Sequence, residues 1–239
     1  MSSTPLVEKT LTLLAQARAR LQAFPQTLTP AERDRIGSLA DWSARDILPH
    51  VAHWNNHVLT RMDCFRLGVA PEKGEDYNLV NDRVQQANCQ KSWETLLAEV
   101  DETYASLIEQ VQAFEPGALE DPARYEWQRN NTLVVSIIST AVFHLEWHLA
   151  EYERKHGDPA RGAAAFADFT RQTVDIPGWE ANAWYNLACV DSMAGLKAPA
   201  LEALAKALPL SPRLKEWAPQ DDDLAALRGD PAFAALLAG

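Results

Sequence analysis

The stretch SARDILPHVAHWNNHVLTRM, residues 43–62, decides the fold. Ser43 followed three residues on by Asp46 has the form of a capping box, in which each side chain satisfies the other residue's backbone N–H at a helix start. Beyond it Ile47, Val51, Trp54, Val58 and Met62 recur at helical spacing, so the stretch reads as a long amphipathic helix with one buried stripe. Pro49 lies near its beginning. If it falls past the first turn it removes a backbone hydrogen bond and kinks the axis at a cost of about 3 kcal/mol.

Working outward, the same pattern recurs three times. Thr4-Pro5 is an N-cap followed by the proline tolerated at the first helical position, and Val7, Leu11, Leu14 and Leu21 share a face up to Phe24. Thr29-Pro30-Ala31-Glu32 reads as a capping box opening a short turn of helix. Residues 68–88 are polar and broken by Pro71 and Gly74, with one short helix expected over 77–86. From Ser92, the residues Trp93, Leu97, Val100, Tyr104, Leu107 and Val111 mark a third long helix, closed by Pro116-Gly117. A fourth follows with Val134, Ile138, Ala141, Leu145 and Tyr152 inward, ending at Gly157-Asp158-Pro159. Four long amphipathic helices without strand alternation predict an all-α chain, an up-down four-helix bundle over residues 1–157.

Composition narrows the function. The 239 residues carry a net charge of −11, so an unaided hold on nucleic acid or an anionic membrane would work against repulsion. The strongly apolar uncharged run from Leu133 to Phe143 is far below the roughly 20 residues that span a bilayer. The start shows no basic end followed by an apolar run, so no signal peptide is visible and a cytoplasmic protein is expected. Cys64, Cys89 and Cys189 are odd in number and widely separated, as reduced thiols are.

Residues 158–239 turn alanine-rich and form a second expected domain. Within it, Trp184, Leu187, Ala188, Gly195, Ala200, Leu204, Ala207 and Pro212 fall where a tetratricopeptide repeat wants its anchor, small contacts, turn glycine and terminal proline. Asp191 departs, standing where an aromatic is usual. One repeat cannot bury its own face, so this region either packs or makes an oligomer contact, or else binds a protein or peptide partner.

Five of the six histidines lie in the second and fourth long helices. An i, i+4 pair presents two imidazoles on one face, the spacing one metal ion needs. Counting about 100° per residue, His144 and His148 sit about 80° and 40° from their stripe's centre, and His50 about 75° from its own. By the same count His57 and His53 lie roughly 100° and 140° away, toward solvent, and Glu146 points away from the interior. The faces therefore favour His50, His144 and His148.

Trp42 through His50 with Trp54, and Phe143-His144-Leu145-Glu146-Trp147-His148, resemble the two signature segments of the DinB/YfiT-like metalloenzymes. Asp76-Tyr77-Asn78-Leu79-Val80-Asn81 and Arg124-Tyr125-Glu126-Trp127 further resemble the subgroup that includes the colibactin self-resistance cyclopropane hydrolase. The likeness covers roughly residues 5–157. It implies a four-helix bundle holding zinc or nickel, and by motif the ligands are His50, His144 and His148. Pro49 stands where the family has a small residue. Ala150 stands where thiohistidine-forming members carry an acid, so that activity is not implied. Pairing of bundles into a homodimer is expected by analogy alone.

Three histidines leave an ion an open position, the mark of a catalytic site. Water held there falls from a pKa of about 15.7 towards about 7, and a thiol is ionised outright. The resemblance implies low-molecular-weight-thiol transferases, thiol-dependent isomerases and self-resistance hydrolases. The expectation is a thiol S-transferase, with a thiol co-substrate, or a hydrolase, either acting on a small electrophilic molecule; a scaffold working through the repeat-like tail is the alternative. Glu151 is the candidate general base or partner to a ligand imidazole. Trp54, Tyr77, Asn78, Asn81 and Trp147 are candidates to line the pocket.

Overall fold

The computed structural model describes residues 4–115 and 117–238, and these are helical throughout apart from loops and one isolated bridge, Ser38 to Asp41. Pro116, expected to close a helix, and Met1 to Ser3 lie outside the described residues. Two compact units divide the chain, Met1–Leu145 and Glu146–Gly239.

The first unit is a helical bundle. Its long members are α1 (Pro5–Ala23), α3 (Ala44–Leu67), α5 (Trp93–Ala113) and the opening turns of α6 (Leu133–His156). The short helices α2 (Pro30–Asp34) and α4 (Tyr77–Asn88) lie in the connections. The expected caps hold: Thr4 Oγ1 accepts from Val7 N at 3.2 Å, and Thr29 and Ser43 form capping boxes with Glu32 and Asp46. The core is aliphatic and close-packed. Leu14, Leu21, Ile47, Leu48, Met62, Leu96, Leu107 and Leu133 are almost fully buried, each worth roughly 1.5–3 kcal/mol of transfer free energy.

Polar pairs fix how the helices meet. Arg18 grips Asp101 with two 2.6 Å hydrogen bonds between α1 and α5, and Asn55 Nδ2 donates to Thr103 Oγ1 at 2.9 Å between α3 and α5. Asn55, not Trp54, is the buried residue at that level of α3.

α6 departs from the expected regular helix. Ile138–Phe143 is a π segment, flanked by α-helical Leu133–Ile137 and His144–His156. The hydroxyl of the fully buried Tyr104 donates to the carbonyl of Ala141 within it at 2.6 Å. α6 is long and apolar enough to cross a membrane by length and composition, but 67% of its apolar window is buried inside the protein. Burial of that extent is what a core helix shows.

The second unit takes the end of α6, then α7 (Pro159–Thr173), α8 (Glu180–Met193), α9 (Lys197–Ala207), α10 (Pro212–Trp217) and α11 (Pro231–Ala238). α8 packs on α7, on α9 and on the 3₁₀ turn Asp222–Leu227. Gly195 turns the chain between α8 and α9 at φ 80°, a left-handed conformation that glycine adopts at no steric cost.

Candidate metal centre

The start of α3 is anchored before its histidine. Asp46, 5% exposed, accepts from Ser43 N at 2.9 Å and from Gly37 N at 2.8 Å. A Cβ at Gly37 would lie 2.4 Å from Asp41 O and 2.5 Å from Asp46 Oδ2, so the close approach requires glycine. Gln85 of α4 ties in by donating to Gly37 O at 2.8 Å. Pro49 is the sixth residue of α3 and buried, past the first turn, so the carbonyl of Arg45 has no N–H to accept from one turn on. His50 follows directly, 4% exposed, with Trp42 packed edge-on at a ring separation of 4.2 Å.

His144 is the first residue after the π segment. Its Nε2 lies 2.8 Å from His50 Nε2, and the two rings are 4.6 Å apart. His148 follows one turn later on the same helix, which itself holds the four-residue spacing. One nitrogen from each of His50, His144 and His148 lies within 4.8 Å of the other two.

This donor set fits a divalent ion of the zinc or nickel kind. Three imidazole nitrogens suit both metals. At metal–nitrogen distances of about 2.0–2.1 Å, tetrahedral ligand atoms stand roughly 3.3 Å apart, so the His50–His144 contact needs to open by only about half an ångström. Glu151 Oε2 sits 3.8 Å from His148 Nδ1, an ion-pair rather than hydrogen-bond distance, while Lys155 Nζ is 2.9 Å from Glu151 Oε1. The His148 imidazole and Lys155 together hold the Glu151 carboxyl down at about 2.

Trp54 forms a wall beside the histidines. Its ring lies 6.3 Å from His50, 6.4 Å from His144 and 5.5 Å from Tyr77, and its Nε1 donates to Asn81 Oδ1 at 3.2 Å. α4 therefore brings Tyr77, 69% exposed, and Asn81 to the site. Asn78 is exposed, and its backbone N–H caps the helix on Asp76 Oδ1 at 2.9 Å. Trp147 packs edge-on against Phe166 in the second unit, 6.2 Å between rings.

Three orientations differ from the helical count. Glu146 is 4% exposed instead of solvent-facing. His53 and His57 are half-buried against Trp54. Burial lowers both imidazole pKa values, with Arg83 adding to the effect on His53 and Arg61 to that on His57. Trp42, which presses on His50, is a site residue that periodicity alone does not single out.

The sequence model of the DinB superfamily matches residues 13–152, more than half of the chain. The chain belongs to the DinB superfamily. DinB-like proteins bind divalent metals, and the three-histidine cluster is compatible with that property. Comparison with curated proteins and with solved structures finds no match. Within this DinB-superfamily chain the matched segment takes in α3, α5 and the whole of the histidine cluster.

Proposed function

We propose that the protein is a metal-dependent enzyme whose mononuclear site is His50, His144 and His148, acting as a thiol S-transferase or hydrolase on a small electrophilic substrate. The observation that carries this reading is the convergence of three ring nitrogens within 4.8 Å, from two helices, beside a wall of aromatic residues. A divalent ion with an open position supplies a Lewis acid that makes a water or thiol ionisable near neutral pH. The chain's own residues do the rest. Glu151, 3.8 Å from His148 Nδ1, keeps a negative charge behind the ligand, on the side where carboxylate partners of metal-bound histidines stand. Trp54 and Tyr77 shield one side from water, and Asn81 fixes the indole of Trp54.

Zinc or nickel is the expected metal, and a low-molecular-weight thiol the expected co-substrate of the transferase version. The motifs do not choose between the transferase and the hydrolase versions. A cytoplasmic location suits either chemistry.

Elemental analysis of the purified protein tests the reading, followed by a panel of thiols with a generic electrophile. One equivalent of zinc or nickel, lost on His148→Ala, supports it. Folded, metal-free protein that ignores added zinc ends it.

A second reading gives the tetratricopeptide-like tail a protein or peptide partner, favoured by the exposed Leu210 and Trp217 of the second unit, 46% and 58% accessible. It requires saturable peptide binding that Trp217→Ser weakens.

A further inference from the structure

Trp54 borders the ground between the two closest histidines. Its ring is 6.3 Å from His50 and 6.4 Å from His144, all but equidistant from two imidazoles that themselves lie 4.6 Å apart. An indole so placed stands beside any ion held between those rings, and a ligand of that ion meets it.

The indole is fixed in that position with its polar group already engaged. Nε1 donates to Asn81 Oδ1 at 3.2 Å, and His53 and His57 pack edge-on at 5.3 Å and 5.6 Å. Trp42 adds a second indole 4.2 Å from His50, its Nε1 donating to Leu39 O at 3.0 Å. A tryptophan has a single donor and no acceptor. With both donors taken by the protein, these two side chains offer a ligand nothing but ring carbon.

Tyr77 carries the carbon surface outward. Its ring lies 5.5 Å from that of Trp54 and the residue is 69% exposed, the wet apolar surface that marks a binding site when it adjoins a cluster of polar groups. Cations are directed elsewhere. Arg83, whose charge reaches His53, is paired with Glu75 at 2.9 Å, and Arg61, whose charge reaches His57, has its guanidinium over Trp127 at 5.8 Å. Among the described residues no guanidinium or ammonium stands over the Trp54 ring.

We propose that Trp54 sets the substrate class of the metal centre: an uncharged molecule carrying a flat aromatic group, which lies against the indole while its reactive atom reaches the ion. The proposal rests on the metal-enzyme reading above. Aromatic partners settle offset or edge-on at about 4.5–7 Å between centroids, an attraction beyond that of the buried area, which an aliphatic group forgoes. Since the indole adjoins the imidazoles, the aromatic group and the reactive atom are joined by a short link at most.

The test uses the full chain, metal-loaded and metal-stripped, and three probes that share one metal-binding head: acetohydroxamic, benzohydroxamic and 4-carboxybenzohydroxamic acid. Titration calorimetry is expected to show benzohydroxamic acid binding about tenfold or more tighter than acetohydroxamic acid, and the carboxylated probe no tighter than benzohydroxamic acid. Trp54→Ala should bring the first ratio below about twofold, while Trp54→Phe, which keeps a ring there, should fall between. Tyr77→Ala, at an exposed position, should lower the ratio with the fold retained. Equal wild-type affinity for the first two probes overturns the proposal, as does binding of neither, a preference that survives Trp54→Ala, or tightest binding of the carboxylated probe. Should Trp54→Ala fail to fold, an unchanged ratio in both Trp54→Phe and Tyr77→Ala overturns it. Metal content measured on the same samples separates the two readings. A loaded protein that binds the first two probes equally keeps the metal centre and loses the aromatic subsite, whereas a protein that takes up no metal yet keeps the Trp54-dependent preference refutes the metal centre and leaves the subsite standing.

Discussion

The hydroxyl of Tyr104 on α5 donates to the carbonyl of Ala141 at 2.6 Å, in the π segment that ends where His144 begins. A π turn leaves backbone groups out of α-helical register, so an external donor to one of its carbonyls stabilises the widened turn. Tyr104→Phe should cost about 1–2 kcal/mol in urea unfolding, since a buried carbonyl loses its partner with no change of shape. The same variant should bind zinc more weakly, because the turn that aims His144 is loosened. Unchanged zinc affinity in a stable variant would separate the π segment from the site.

Substitutions at the cluster have graded expectations. His50→Ala, His144→Ala and His148→Ala should each abolish stoichiometric metal, read by elemental analysis. Glu151→Gln keeps the shape and removes the charge behind His148, so metal affinity should drop about 10- to 100-fold in a chelator competition while the fold is retained.

Asp191 supplies a pH dependence. It is 5% exposed, and burial pushes its carboxyl up to about 6 from an ordinary 3.8. A raised carboxyl means that the folded protein holds a proton that the unfolded chain releases, so its stability contribution is complete below 3.8 and is lost as the pH rises through about 6. Asp191→Asn is neutral throughout. Above pH 7 it should be more stable than wild type by about 1–3 kcal/mol, and near pH 4 equal to it, read from melting temperatures across that range.

Asp101 has the opposite sign. Arg18, hydrogen-bonded to it, holds its carboxyl below the ordinary value of 3.8. That contribution is present above 3.8 and fades as the pH falls below it. Asp101→Asn should cost about 1 kcal/mol at pH 7, a modest figure because both side chains retain some exposure to water. The cost should shrink in acid, visible as converging denaturation midpoints of variant and wild type.

Much of this was legible in the residues. Caps at Thr4, Thr29 and Ser43 and the stripes of α1, α3 and α5 announce the helices, because capping chemistry and hydrophobic period are local. The histidine faces pointed to His50, His144 and His148, and these are the three that converge. Glu146 is buried where the count turns it outward, because the count registers one stripe of a helix and not what packs against its other faces; the π segment between Ile138 and Phe143 is signalled by no side chain in it. The pairing of Trp54 with Asn81, and the approach of Trp42 to His50, depend on how segments distant in the chain pack, which periodicity does not contain.

The widened turn in α6 amounts to one surplus residue in a rod. Closing that turn into regular α-helix with every residue kept would swing everything downstream by about 100°, carrying two imidazoles off target while hydrophobic content did not change, whereas deleting one residue at the same time would leave them in place. Phase in this rod is thus a heritable setting apart from side-chain identity. Alignments of related chains should be anchored at both ends of the rod, so that gaps fall in its middle.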